Sequence, residues 1–296
     1  MQKQIATFAA IMLIGFSPAW ADALEEKASP ADVLAATTDT DWRALDPENT
    51  LYFELERGRV VIALSTTLAQ SHVSQIKALA REGFYEGLSF YRVIDGFVAQ
   101  GGDPFSVREV KTAKTEMAAE FEEALTDEMH FVQQNDVDGY APAIGWVDSL
   151  PVGADLESKR IWHLHCTGAF AYGRNNETDS ASTEIYITLQ PQRYLDRNLT
   201  VAGRVVHGME HVQAMRRVSP PESEDDDLGD TINAVHIAVD VSAEERTNLE
   251  ILDSNSEAFA NYIEARRNRP EAFFYFRPDH LDICALNVPV RPIVSE

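Results

Sequence analysis

The chain has 296 residues, 45% hydrophobic and 25% charged, which is enough for one large globular domain or a medium one with elaborations. Forty-eight acidic against 25 basic residues give a net charge of −23. A surface that acidic repels phosphate backbones and anionic lipid, so nucleic acid and bare membrane are poor partners, while neutral or basic polypeptides remain open.

The N-terminus reads as a secretory leader: Lys3, an apolar stretch from Ile5 to Phe16 too short to span a bilayer, then Ala19-Trp20-Ala21 with cleavage expected before Asp22. This pattern predicts an exported, periplasmic protein whose mature chain is not inserted in a membrane. Residues 22–49 read as a polar, poorly ordered lead-in. Leu51–Glu56 and Val60–Leu64 are strand-like runs joined by a turn at Arg57-Gly58-Arg59. Val73, Ile76, Leu79 and Ala80 recur at helical spacing, with Gly83 as the stop signal. Two short strands follow between Phe90 and Gln100, around Asp95-Gly96. Pro104 to Lys159 mixes charge, glycine and scattered apolar residues, and reads as a long, partly helical insertion (about 104–160).

Strands resume at Gly168–Gly173, Glu184–Leu189 and Val201–Val206, a helix is expected from Met209 to Arg217, and Thr231–Val241 alternates as a closing strand. The acidic stretch Ser219–Asp230 lacks the alternating ligands and turn glycine of a calcium loop, and reads as solvated. Beyond 242 lies a C-terminal extension with a helix over Ser256–Arg266 and an aromatic cluster, Phe273-Phe274-Tyr275-Phe276. The cluster requires burial, so the extension (243–296) is expected to dock on the main domain (50–242). Cys166 and Cys284 either pair, in an oxidising compartment, or stay as two buried thiols. His163 and His165 share a face if they lie on a strand, but no further metal ligand accompanies them, so they read as ordinary strand histidines.

One segment carries chemistry. In FYEGLSFYRVIDGFVAQGGDP (Phe84–Pro104), strand alternation puts Phe90 and Arg92 on one face, and Val98 and Gln100 on one face of the next strand. An arginine and a glutamine among Phe97 and Val98 compose a pocket with an apolar floor and a few donors.

This segment resembles the signature of the cyclophilin family of peptidyl-prolyl cis-trans isomerases. Two further blocks agree in order and spacing: GAFAYGRNNETDSASTEIYI (Gly168–Ile187), and Leu195-Asp196 through VAGRVVHGM (Val201–Met209). The resemblance implies a mainly β fold, a closed eight-stranded antiparallel barrel capped by two helices, with the substrate groove on its outer surface. It implies catalysis of rotation about X-Pro bonds of exported polypeptides, with no cofactor and no metal. Arg92 takes the place of the catalytic arginine. Phe97, Val98, Tyr186, Leu195 and Leu199 take the places of the proline pocket and its rim, and Gln100 and Gly173 those of the groups that grip the substrate chain.

Several positions depart from the family. Tyr186 stands for a phenylalanine, adding a hydroxyl that needs a partner. Glu184 stands for a glutamine, bringing a charge that either pairs with Arg92 or lies at the surface. Ile185 stands for a phenylalanine and Tyr172 for a methionine. Tyr194 stands for an aromatic that is often tryptophan, and Leu199 for histidine, so cyclosporin binding is not implied. These departures keep a second reading open, a module of low or no activity that binds proline-containing segments as a chaperone or scaffold.

Overall fold

The computed structural model describes residues 27–223 and 225–293; the leader and its cut site lie outside them. In chain order the strands are β1 (Trp42–Ala44), β2 (Thr50–Leu55), β3 (Gly58–Leu64), β4 (Ser89–Val93), β5 (Val98–Gly102), β6 (Glu123–Ala124), β7 (Val132–Gln134), β8 (Ala143–Val147), β9 (Leu150–Asp155), β10 (Arg160–His163), β11 (Ala169–Tyr172), β12 (Ile185–Thr188), β13 (Val201–His207), β14 (Asp230–Ile237), β15 (Leu249–Leu252) and β16 (Val290–Pro292). Four helices accompany them: α1 (Pro30–Ala35), α2 (Gln70–Arg81), α3 (Met209–Gln213) and α4 (Glu257–Asn268).

Eight strands close a barrel in the order β11-β12-β5-β4-β14-β2-β3-β13, all pairs antiparallel. Inward residues such as Phe53, Ile62, Phe90, Phe170, Ile187 and Ile232 fill it, and Ile76 and Leu79 of α2 extend the same core. The expected strands and helix fall at these places. The β2–β3 turn shows why glycine is needed: Gly58 has φ +138°, and a Cβ there would lie 2.4 Å from the His211 ring of α3. The predicted helix over 209–217 ends early, at Gln213, and Arg217 instead donates to the Gln213 and Met215 carbonyls.

The insertion differs from its expected partly helical form. It builds an antiparallel sheet, β6-β10-β9-β8-β7, which runs on past Lys159 into β10, and its only helical piece among the described residues is the short turn Asp127–Met129. The β8–β9 hairpin turns through Asp148 and Ser149, both with positive φ. Its strands are covered on both sides: Ile144 and Trp146 face the C-terminal extension, while Ala143, Val147 and Val152 face Leu68 and Leu125. A strand buried on both faces loses the alternation by which it would be read.

The N-terminal lead-in, from Lys27 on, is ordered structure and not a loose arm. Ser29 and Asp32 form a capping box on α1, and β1 pairs with β15. β15 sits between β1 and β16, so the lead-in and the extension share one three-stranded sheet.

The extension packs against the inserted sheet, and the aromatic cluster expected to be buried takes no part in it. Phe273, Tyr275 and Phe276 are 88%, 105% and 75% exposed. Docking falls to Phe259, Tyr262 and Ile263 of α4 and to Leu281, Ile283 and Leu286, which bury Trp146, Trp162 and Leu164 of the insertion. The aromatic run occupies a loop bounded by Pro270 and Pro278, where Phe273 and Phe274 stack edge to face and Arg269 covers Phe274. Ser256 caps α4 by accepting from the Phe259 N–H at 3.0 Å.

Cys166 and Cys284 are joined, closing a sequence separation of 118 residues. In the chain-entropy view a loop of that length contributes about 4–5 kcal/mol.

Candidate active site

A cleft of about 930 Å³ runs along the outer face of β4, β5 and β12. It gathers Arg92, Phe97, Val98, Gln100, Gly173, Glu184, Tyr186, Leu195 and Leu199, all named from the sequence. Tyr194 is not part of the lining and is 58% exposed.

Phe90 and Arg92 do not share a face, contrary to simple alternation. The β4–β5 register shifts between Ser89 and Arg92, a bulge that adds a residue on the outer side. Phe90 points into the barrel core, Tyr91 and Arg92 both reach the cleft, and Val93 returns to the core. On β5, Val98 and Gln100 share the cleft face, as alternation requires.

Arg92 is held from two sides. Its Nη1 donates to Gln100 Oε1 at 3.0 Å, and its guanidinium lies 5.2 Å from the centre of the Phe97 ring. Gln100 then donates through Nε2 to the Tyr91 hydroxyl at 2.6 Å, and Tyr91 donates to Glu184. Glu184 therefore neither pairs with Arg92 nor lies free at the surface. It ends a chain, Arg92–Gln100–Tyr91–Glu184, and also accepts from the Asp103 N–H at 2.8 Å. The carboxylate presses on the strand so closely that a Cβ at Gly102 would lie 2.3 Å from Glu184 Oε1. That contact, with φ +145°, accounts for the second glycine of the QGGD segment.

Burial lifts Glu184 above the ordinary glutamate range, and the hydrogen bond from Tyr91 only partly opposes it. Burial also lifts the Tyr91 phenol, with the Glu184 charge adding to it. An acid whose folded pKa is raised favours the fold while protonated, and that contribution is lost as pH rises through the raised value. For activity the sense is reversed, because an ionised Glu184 accepts both donors and steadies the chain behind Arg92. We expect kcat/KM for an X-Pro peptide to show an acid limb above the usual carboxylate range. Glu184→Gln, which cannot ionise, should flatten that limb. An unchanged limb in the variant would detach Glu184 from the positioning of Arg92.

The floor of the cleft carries a second chain. The Tyr186 ring lines it beside Val98 and Leu199, 4% exposed. Its hydroxyl lies 2.8 Å from His165 Nε2, behind the barrel wall, which answers the need for a partner. His165 Nδ1 lies 3.0 Å from Asp196 Oδ1. With Asp196 accepting from Nδ1, Nε2 is left to accept from the tyrosine. Asp196 also accepts from Arg193 Nε at 2.6 Å, and Arg193 forms a two-pronged pair with Asp138 of the insertion, at 2.8 and 2.9 Å. Burial, with the Asp196 charge behind it, lifts the Tyr186 phenol well above its ordinary value. The histidines thus serve separate ends: His163 meets Ser65 Oγ at 2.8 Å, and burial lowers it to about 4.

The sequence does not expose Tyr91, because the bulge that turns it outward has no local signature. The partner of Tyr186 was closer to hand: a phenol at a pocket floor calls for a buried acceptor, and His165 is one. The insertion also lends the cleft its upper rim, where Arg108 is tied to the Phe84 and Glu86 carbonyls at 2.6 and 2.7 Å.

Comparison with known proteins agrees with this geometry. Residues 50–237 match the family model described as cyclophilin type peptidyl-prolyl cis-trans isomerase/CLD. A probable peptidyl-prolyl cis-trans isomerase of Brucella suis is 30% identical over 180 residues, 61% of this chain and 78% of that protein. Peptidyl-prolyl cis-trans isomerase B of Bacillus subtilis is 28% identical over 165 residues, 55% of this chain and 88% of that protein. Among solved structures, cyclophilin AquaCyp293 from Hirschia baltica superposes with a TM-score of 0.71 at 25% identity, covering 91% of this chain and 99% of that one. That coverage takes in much of the insertion and the extension as well as the barrel. The barrel, the cleft on its outer wall and these relatives place the chain in the cyclophilin family of peptidyl-prolyl cis-trans isomerases.

Proposed function

We propose that this isomerase acts on X-Pro bonds of exported polypeptides in a bacterial periplasm, with Arg92 as its catalytic donor. The observation that carries the catalytic part is the fixed guanidinium at the cleft edge, clamped by Gln100 and Phe97 above an apolar floor.

The chemistry needs little else. Amide resonance sets a barrier of about 18–20 kcal/mol to rotation. As the bond twists, the prolyl nitrogen regains its lone pair and becomes an acceptor, which neither planar form offers. A donor already aimed there binds the twisted state in preference to both planar states, which is the requirement for catalysis. One Arg92 N–H is committed to Gln100, and the rest of the fork is available to the substrate. Phe97, Val98, Tyr186, Leu195 and Leu199 would receive the proline ring. Gln100 and the backbone at Gly173 would hold the adjoining chain. Tyr194, exposed beside the cleft, would contribute only at its rim.

Export rests on the leader pattern at residues 1–21, and the Cys166–Cys284 bond suits an oxidising compartment. The test is expression with the native N-terminus in a Gram-negative host, followed by osmotic-shock fractionation and intact mass. The expected product is in the periplasmic fraction, begins at Asp22 and has no free thiol. A cytoplasmic product that keeps Met1 would overturn the assignment.

A further inference from the structure

Away from the active-site cleft, one largely buried charge has no counterpart among the described residues. Arg204 lies in the middle of β13 and is 8% exposed. Arg193 is buried to the same degree, but two carboxylates answer it. Arg204 forms no ion pair or side-chain hydrogen bond with any described residue, and desolvation alone acts on it. The bare barrel wall would leave this position in water. Here the insertion and the extension roof it over, leaving a second cleft of about 350 Å³.

One part of the wall is apolar: Leu150 from the inserted sheet, Val205 beside Arg204, and Ile251, Val288 and Val290 from the extension. Ser149, Thr167, His207 and Asn287 add polar side chains. The one carboxylate among the lining residues, Glu210, is solvent-exposed and makes no ion pair with Arg204. The volume lies near the lower end of the range for small-molecule sites, about 300–1,000 Å³.

We propose that this cleft binds a small carboxylate with an apolar body, its two oxygens on the Arg204 fork and its hydrocarbon part against Leu150, Ile251 and Val288. The Arg204 guanidinium lines this cleft without a partner among the described residues, and a carboxylate there would pair with it in the two-pronged manner. A single cation suits a monoanion. A phosphate dianion would exceed the one fixed positive charge of the cleft. Burial lowers the Arg204 pKa to about 10, so the group is charged at neutral pH and the demand for an anion persists. A ligand here touches the barrel, the inserted sheet and the extension together, so its binding stabilises their docking by mass action.

The experiment is thermal unfolding of the full-length, disulfide-bonded protein with sodium isovalerate, phosphate or chloride at matched ionic strength. Isovalerate is expected to raise Tm with a saturable dose response, and phosphate and chloride are not. Arg204→Leu, which suits the apolar part of the wall, should abolish the isovalerate response. Arg204→Lys keeps the charge without the fork, and should weaken apparent affinity about tenfold. If Arg204→Leu fails to fold, the lysine variant alone decides the matter. No isovalerate response in the wild type, or an equal response in whichever variants fold, would overturn the site. An equal response to all three anions would overturn the carboxylate assignment.

Discussion

Arg92→Ala should lower kcat/KM for cis-to-trans conversion of a short X-Pro peptide by about 10²–10³-fold, with little change in the melting temperature. The size follows from the loss of one preorganised donor aimed at charge that develops only in the transition state, about 2.7–4 kcal/mol. Arg92 is half-buried at the cleft edge, and its side-chain contacts are Gln100 and the Phe97 face. Removing it opens no cavity in the barrel core, so the stability cost should fall within the small range of surface substitutions. Arg92→Lys should recover only part of the rate, since a lone ammonium cannot hold Gln100 and offer a second donor in one plane. The measurement is peptide exchange by NMR, with binding of the same peptide measured in parallel. Loss of turnover with binding retained supports Arg92 as the catalytic donor. Equal turnover by wild type and variant would remove Arg92 from the mechanism. A wild type that binds the peptide without speeding exchange would instead favour the binding-module reading.

What the sequence made legible follows from how local each signal is. Strands of the barrel alternate or carry β-branched runs, and the QGGD segment is legible as a motif although the reason for its second glycine is distant: Glu184 fills the space a Cβ would take at Gly102. The cleft residues on β5 and β12 follow from register once the barrel is given. The illegible parts depend on contacts made far along the chain. The bulge that sets Tyr91 beside Arg92 comes from the pairing of β4 with β5. The inserted sheet lacks a readable pattern because a second core, shared with the extension, covers one face and a smaller cluster around Leu68 and Leu125 covers the other. The lead-in reads as poorly ordered from sequence because its partner strand, β15, lies some 200 residues later. The aromatic cluster at 273–276 misled in the opposite sense, since hydrophobicity demands burial only where the backbone can bring it inward. Two prolines and a turn hold that run outside, and the residues on either side of it do the docking.

Deleting everything after Val241 is the variant with the largest expected effect on the fold, and it should split the molecule energetically into two parts. The barrel core contains no residue beyond Ile237, so the barrel should persist. The second core loses Leu252, Phe259, Tyr262, Ile263, Leu281, Ile283 and Leu286, together with the disulfide. At about 1.5–3 kcal/mol for each large buried side chain, that loss matches or exceeds the whole stability of a typical domain, about 5–15 kcal/mol. The inserted sheet would then present Trp146 and Trp162 to water, and β1 would have no partner. The truncate is expected to be poorly soluble, to bind hydrophobic dye, and to be cleaved by protease within residues 104–165 while the barrel resists. Peptide exchange should survive in the soluble fraction at a reduced rate. The reduction has a structural origin, because the insertion carries Asp138, which anchors Arg193 and through it Asp196, His165 and the Tyr186 ring at the cleft floor. A truncate as soluble and as protease-resistant as the full chain would show that the inserted sheet stands without the extension. In that case the extension's packing against Trp146 and Trp162 would be incidental to the stability of the insertion.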